Sequence, residues 1–259
     1  MDSSGAIAPM KWSGRRHLMR LSRSQTSLAV FAAALAFTLM QAPRIEAQRG
    51  QRGGVQRAPR EAAPVDLTGY WVSLVSEDWR VRMLMGQKGD WLFMMGTYGS
   101  LNAEGLRAAN AADPAKEDPC KAYGAAGIMR VPGRLHITWQ DDRTLRLDTD
   151  AGTQTRILQF GASQPPAEAT RQGYSVAAWD RRDLKVVTTR MQPGYYFKHG
   201  VPYSEDAVMT EHFALLDGYL FVTTTVIDPR YLNGTYDRTL TFKREPDGSK
   251  WSPAPCQVP

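Results

Sequence analysis

From Asp66 onward, apolar and polar residues alternate in short runs broken by turn residues, a period of two that predicts β-strands. The first run is "LTGYWVSLV", within Val65 to Trp79. In "DWRVRMLM", Asp78 to Met85, Trp79, Val81, Met83 and Met85 oppose Arg80, Arg82 and Leu84. "DWLFMMGTYG", Asp90 to Gly99, is a further apolar run. "RLHITWQ", "TLRLDTD" and "TQTRILQF" follow within Arg134 to Phe160, joined by "DDR" and "AG", and predict a meander. Beyond Pro165 and Pro166 come "GYSVAAW", "LKVVTTRM", "AVMTEHFAL", "GYLFVTTTVI" and "TYDRTLTFKRE". Asp217-Gly218 marks a hairpin between two of them, and the Thr and Val content of "FVTTTVI" favours strand over helix. One segment departs from the pattern. In Ala-rich "SLNAEGLRAANAADPAKEDPC", Asn102 is placed to cap a short helix running to about Ala112. These elements predict an all-β chain: a single antiparallel barrel of about 8–10 strands with one short helical insertion, a sandwich being the alternative.

The N-terminus has a different pattern. "SLAVFAAALAFTLM", Ser27 to Met40, is uncharged and apolar, with Lys11, Arg15, Arg16, Arg20 and Arg23 before it and Arg44 after it. The run is short for a bilayer span and suits a signal peptide over residues 1–47, with Ala47 at a cleavable position. "RRHLM" within it resembles a twin-arginine export signal. Residues 48–65, rich in Arg, Gly and Pro, read as a disordered linker, and residues 66–259 as the folded domain. The charge follows this division. The chain carries +6, of which residues 1–47 hold +4 and residues 48–64 hold +3, leaving −1 for the rest. A near-neutral domain does not fit a nucleic-acid binder. An exported chain would keep no transmembrane span after cleavage and would be periplasmic or secreted. Its two cysteines, Cys120 and Cys256, are then candidates for a disulfide.

"LTGYWV" at the start and "RTLTFKRE" in the last strand resemble the lipocalin-like (calycin) barrels. That resemblance implies that Trp71, two residues after Gly69, closes the base, with Arg238 or Arg244 packing across it. "GIMRVPGRLHITW", "GYSVAAWDRRDLKVVTT", "GVPYSEDAVMTEHF" and "VIDPRYL" are similar to a group of exported bacterial proteins of unknown function. This second resemblance implies the same barrel and brings no reaction with it.

The chemistry in the sequence is sparse. H-E-x-x-H, G-x-S-x-G, Walker and C-x-x-C motifs are missing, which removes the common metalloprotease, serine-hydrolase, nucleotide and thioredoxin readings. No metal site or cofactor is expected, since two cysteines without neighbouring histidines make a poor zinc set. His136 lies mid-strand and is a candidate general base if its face lines the lumen. Glu211 shares a face with Met209 and Phe213, an apolar setting that would raise a carboxyl pKa, while His212 points the other way. These two, Glu211 and His136, are the catalytic candidates. Arg80, Arg82, Arg156, Trp139 and Tyr203 are candidates for holding a ligand through charge, hydrogen bonding or aromatic contact. The leading expectation is a barrel that holds a small hydrophobic or aromatic molecule. A cofactor-free isomerase, cyclase, lyase or hydrolase in the same barrel is the second, and a structural envelope protein with a filled core is the third.

Overall fold

In the computed structural model, residues 57–75, 101–161 and 164–257 are described, all within one compact unit, Gln56–Pro259. The strands expected at Asp78 to Met85 and Asp90 to Gly99, the residues Arg80 and Arg82, and the export signal lie outside the described residues.

Period-two alternation places one side chain in two on the inside, and most of the described strands keep that rule. β1 (Gly69–Ser73), β2 (Arg134–Asp141), β3 (Thr144–Thr149), β4 (Gln154–Phe160), β5 (Tyr174–Asp180) and β6 (Asp183–Thr189) are followed by a small hairpin, β7 (Gly194–Phe197) and β8 (Val201–Tyr203). β9 (Val208–Leu216), β10 (Tyr219–Ile227) and β11 (Thr235–Glu245) complete the set. Nine of the described strands close into a barrel in the order β1-β11-β10-β9-β6-β5-β4-β3-β2. Closure removes the sheet edges that would otherwise invite aggregation. The β9–β10 hairpin turns at Asp217 and Gly218, both at positive φ (50° and 79°), as a primed two-residue turn requires.

Two features differ from the sequence expectation. The barrel is antiparallel at every described junction except β4–β5, which pair in parallel through Leu158↔Ser175 and Phe160↔Ala177. The second concerns residues 57–65, expected as part of a disordered linker. Residues 57–65 pack on the domain, with Arg60 N–H donating to Asp142 O at 3.1 Å and Trp179 Nε1 to Pro59 O at 2.9 Å. Composition alone points to disorder there, but partners on β5 and the β2–β3 turn order it.

The helical insertion sits between β1 and β2. α1 (Ala103–Ala111) starts at Asn102, whose side-chain oxygen accepts from Gly105 N–H at 2.8 Å. Two 3₁₀ turns, Pro114–Lys116 and Pro119–Tyr123, lead to α2 (Ala125–Ile128), all four residues of which are buried. With β7 and β8 they form a cap, in which α2 and the second turn pack on β7 and α1 packs on β8. A disulfide joins Cys120 in the cap to Cys256 in the C-terminal tail, over a separation of 136 residues.

Candidate functional site

The barrel has two distinct ends. At the end where β1 begins, Trp71 is fully buried and its indole Nε1–H donates to Leu67 O at 3.0 Å. The Arg244 guanidinium lies 4.2 Å from its ring centroid and donates to Thr68 O (2.5 Å) and Asp66 O (2.9 Å). Gly69 has φ +110°, and a Cβ there would stand 2.9 Å from Arg244 Nη1, so this glycine admits the guanidinium. Trp139, Phe160 and Trp179 stack in series at the same end, with centroids 5.5 and 5.6 Å apart. Beside them is a cleft of about 540 Å³ lined by Arg60, Val65, Asp66 and Trp139. Trp139 therefore belongs to the floor region.

The other end lies under the cap, and there the inward face changes character. Below it the interior is Leu, Ile, Val, Phe and Trp. Toward the cap, six consecutive barrel strands each turn one polar side chain inward: Arg238 (β11), Thr224 (β10), Glu211 (β9), Thr188 (β6), Ser175 (β5) and Arg156 (β4). Strand register makes them a belt. Thr224 pairs with Arg238 on one side and with Glu211 on the other, and Ser175 pairs with Thr188. Arg156 crosses to Glu211, with Nη2 at 2.5 Å from Oε2 and Nη1 at 3.2 Å from Oε1, both residues at 0% exposure. The Thr188 hydroxyl accepts from Arg156 Nη2 at 3.4 Å and lies 2.8 Å from Ser175 Oγ. Glu211 is thus a carboxylate held by a fork of two donors.

The belt's other half lacks such partners. All three guanidinium nitrogens of Arg238 are buried without a hydrogen-bond partner among the described residues, as are Arg156 Nε and Thr224 Oγ1. The hydroxyls of Tyr196 and Tyr203, contributed by the hairpin of the cap, are in the same condition. Native interiors leave few such groups unpaired, because each carries a desolvation cost of about 1–3 kcal/mol. Tyr196, Tyr203 and Tyr236 are in ring contact, and Arg238 lies 5.8 Å from the Tyr236 centroid. A Cβ at Gly124 or Gly194 would fall 2.2 or 2.4 Å from Tyr203 Oη, so both glycines make room for that phenol. Burial pushes the phenols of Tyr196 and Tyr203 up from the usual tyrosine range; Asp228 adds to the rise at Tyr196, and neighbouring arginines partly oppose it at both. Both stay protonated and can donate. Asp228 itself is occupied: it accepts from Ser204 N–H and Oγ–H at 2.7 Å and from the amides of Arg230 and Tyr231.

The sequence candidates therefore separate. Glu211, Arg156, Tyr203 and Arg238 meet at the capped end, whereas Trp71 and Arg244 close the far end. His136 does not join either group. It lies on the outer face, stacked on Tyr70 at 4.0 Å with Trp251 edge-on, because Leu135 and Ile137 take the inward phase of β2. Arg238 is not the cation over Trp71; six residues before Arg244 on the same inward phase, it lies toward the opposite end. Thr188, Ser175 and Thr224 were not singled out from the sequence. Their signal is a polar residue on the apolar phase of a strand, as with Thr224 between Val222 and Val226.

No family model matches this chain, and no curated protein matches it. Among solved structures it is similar to a crystal structure of a mutant of the fluorescent protein UnaG, with 13% identity over 69% of this chain and 95% of that one, TM-score 0.30. It is also similar to "REP1-NXSQ fatty acid transporter", with 14% identity over 70% of this chain and 96% of that one, TM-score 0.32. The barrel assignment rests on this chain's own strand pairing.

Proposed function

We propose that this is an exported barrel protein that binds a small hydrophobic or aromatic molecule inside the barrel, at the capped end. The observation that carries the reading is the belt: hydrogen-bonding groups without partners, enclosed among aromatic rings and apolar walls. Binding sites have this make-up, with a largely apolar lining and a few convergent polar groups that fix orientation. A barrel serving only as structure would be expected to pair those groups or replace them with apolar ones. Catalysis by Glu211 is not favoured, because the carboxylate is bound to Arg156 at both oxygens. Export is supported by the basic and apolar N-terminal pattern together with the Cys120–Cys256 disulfide, a bond typical of oxidising compartments.

The test is native mass spectrometry of the full chain recovered from the cell envelope. The expected result is one small molecule per chain that is lost on denaturation. A bare mass under both conditions, with no displacement of an environment-sensitive naphthalene dye, would count against the reading. A chain lacking residues 1–47 is expected to stay in the cytoplasm with both thiols free.

A further inference from the structure

We propose that the belt is a receptor for a single carboxylate, so that the ligand is a hydrophobic or aromatic monocarboxylic acid, and that Glu211 sets this charge limit. The inference rests on the reading of the capped end as a ligand site. Three charged groups belong to the belt. Arg156 and Glu211 form a two-point ion pair and cancel. Arg238 remains, with every guanidinium nitrogen buried and unpartnered. Among the described residues no carboxylate lies within ion-pair distance of it, and Asp228, the acid whose field reaches Tyr196, is bound by Ser204 and backbone amides. A buried charge left this way is costly, and a ligand carrying one negative charge relieves the cost.

The donors have one chemistry in common. A guanidinium offers paired N–H groups in a planar fork that matches the two oxygens of a carboxylate. The Tyr196 and Tyr203 phenols remain protonated, and the field of Arg238 reaches both. Together with Tyr236, Tyr196 and Tyr203 make an aromatic wall beside that fork, which suits an apolar or flat body attached to the acid group. A phosphate monoester brings up to two charges, and with Arg156 already neutralised the belt supplies only one. Glu211→Gln keeps the side-chain shape and frees the charge of Arg156, so it should admit the dianion.

The experiment titrates the full exported protein, stripped of bound molecules, with two scaffolds in three forms: dodecanoate, dodecanol and dodecyl phosphate, and 2-naphthoate, 2-naphthalenemethanol and 2-naphthyl phosphate. On the scaffold that binds, the acid should exceed the alcohol by roughly ten- to a hundred-fold, the range of a charge-assisted hydrogen bond. Arg238→Met should abolish that preference while leaving alcohol binding in place, and Arg238→Lys should keep part of it. Because the guanidinium is unpaired, stripped Arg238→Met should melt at or above the wild-type temperature. Glu211→Gln should narrow the gap between acid and phosphate. Equal binding of acid and alcohol would overturn the inference and leave the container reading standing. A marked fall in the Arg238→Met melting temperature would make Arg238 structural and also overturn it. Failure of all six compounds to bind would remove the container reading and this inference with it.

Discussion

At the level of single residues, the two ends of the barrel use arginine in opposite ways. Arg244 is satisfied: it covers the Trp71 ring and holds two backbone carbonyls. Truncating Trp71 to Ala should cost about 3–5 kcal/mol in urea denaturation, the range for a large buried aromatic. Arg156 has its charge balanced by Glu211. Removing one partner leaves a buried charge, so Glu211→Leu should cost about 3–5 kcal/mol, whereas the double change Arg156→Met with Glu211→Leu should recover most of it. A double-mutant cycle in denaturant measures the coupling, and additive single effects would contradict the pairing.

Among elements, the cap depends on local signals that a few side chains supply. Asn102 both caps α1 and donates through Nδ2 to Arg230 O at 2.9 Å. Asn102→Ala should therefore lower stability by at least the roughly 1 kcal/mol of a lost N-cap. Glu117 ties the 3₁₀ turns to β7, accepting from Tyr195 Oη at 2.7 Å and pairing with Lys121. Its burial opposes ionisation, but the hydrogen bonds from Lys121 and Tyr195 outweigh it and hold the carboxyl below its ordinary value of 4.5. A depressed folded value means that the stabilisation is present above about pH 4.5 and is lost as pH falls through the lower folded value. Acid titration of melting temperature should show this loss, and Glu117→Gln should flatten the acid limb.

For the whole molecule, the disulfide is a covalent tie between distant parts of the chain. It fastens the cap to a tail that also bonds along the β3–β4 turn, through Ala254 N–H to Asp150 O at 2.9 Å and Thr153 Oγ1 to Ala254 O at 3.0 Å. A closed loop of this length is worth about 4–5 kcal/mol in the chain-entropy picture, an upper figure for the bond. Replacing both cysteines by Ser should lower stability by up to that amount in denaturant. The barrel's far contacts, β1 to β11 above all, set closure and require joining residues far apart in the chain, as in Tyr70↔Glu245, 175 positions apart. Such pairings form late and slowly in folding.

Much of the barrel was legible in the chain because each strand states its own phase: Val222 and Val226 flanking Thr224 place that threonine inside without reference to any neighbour. The Gly69-Tyr70-Trp71 opening, the Asp217-Gly218 turn and the Asn102 cap are likewise local. The parallel β4–β5 junction and the order of residues 57–65 depend on which segments meet, and period two does not encode partners. The belt is the clearest case. Arg156 and Glu211 are 55 residues apart, and nothing in either segment says that one neutralises the other while Arg238 is left unpaired. Sequence determines which side chains face inward, since that follows from the pleat of one strand. Only closure of the barrel decides which inward charges meet, since that follows from register around the whole ring.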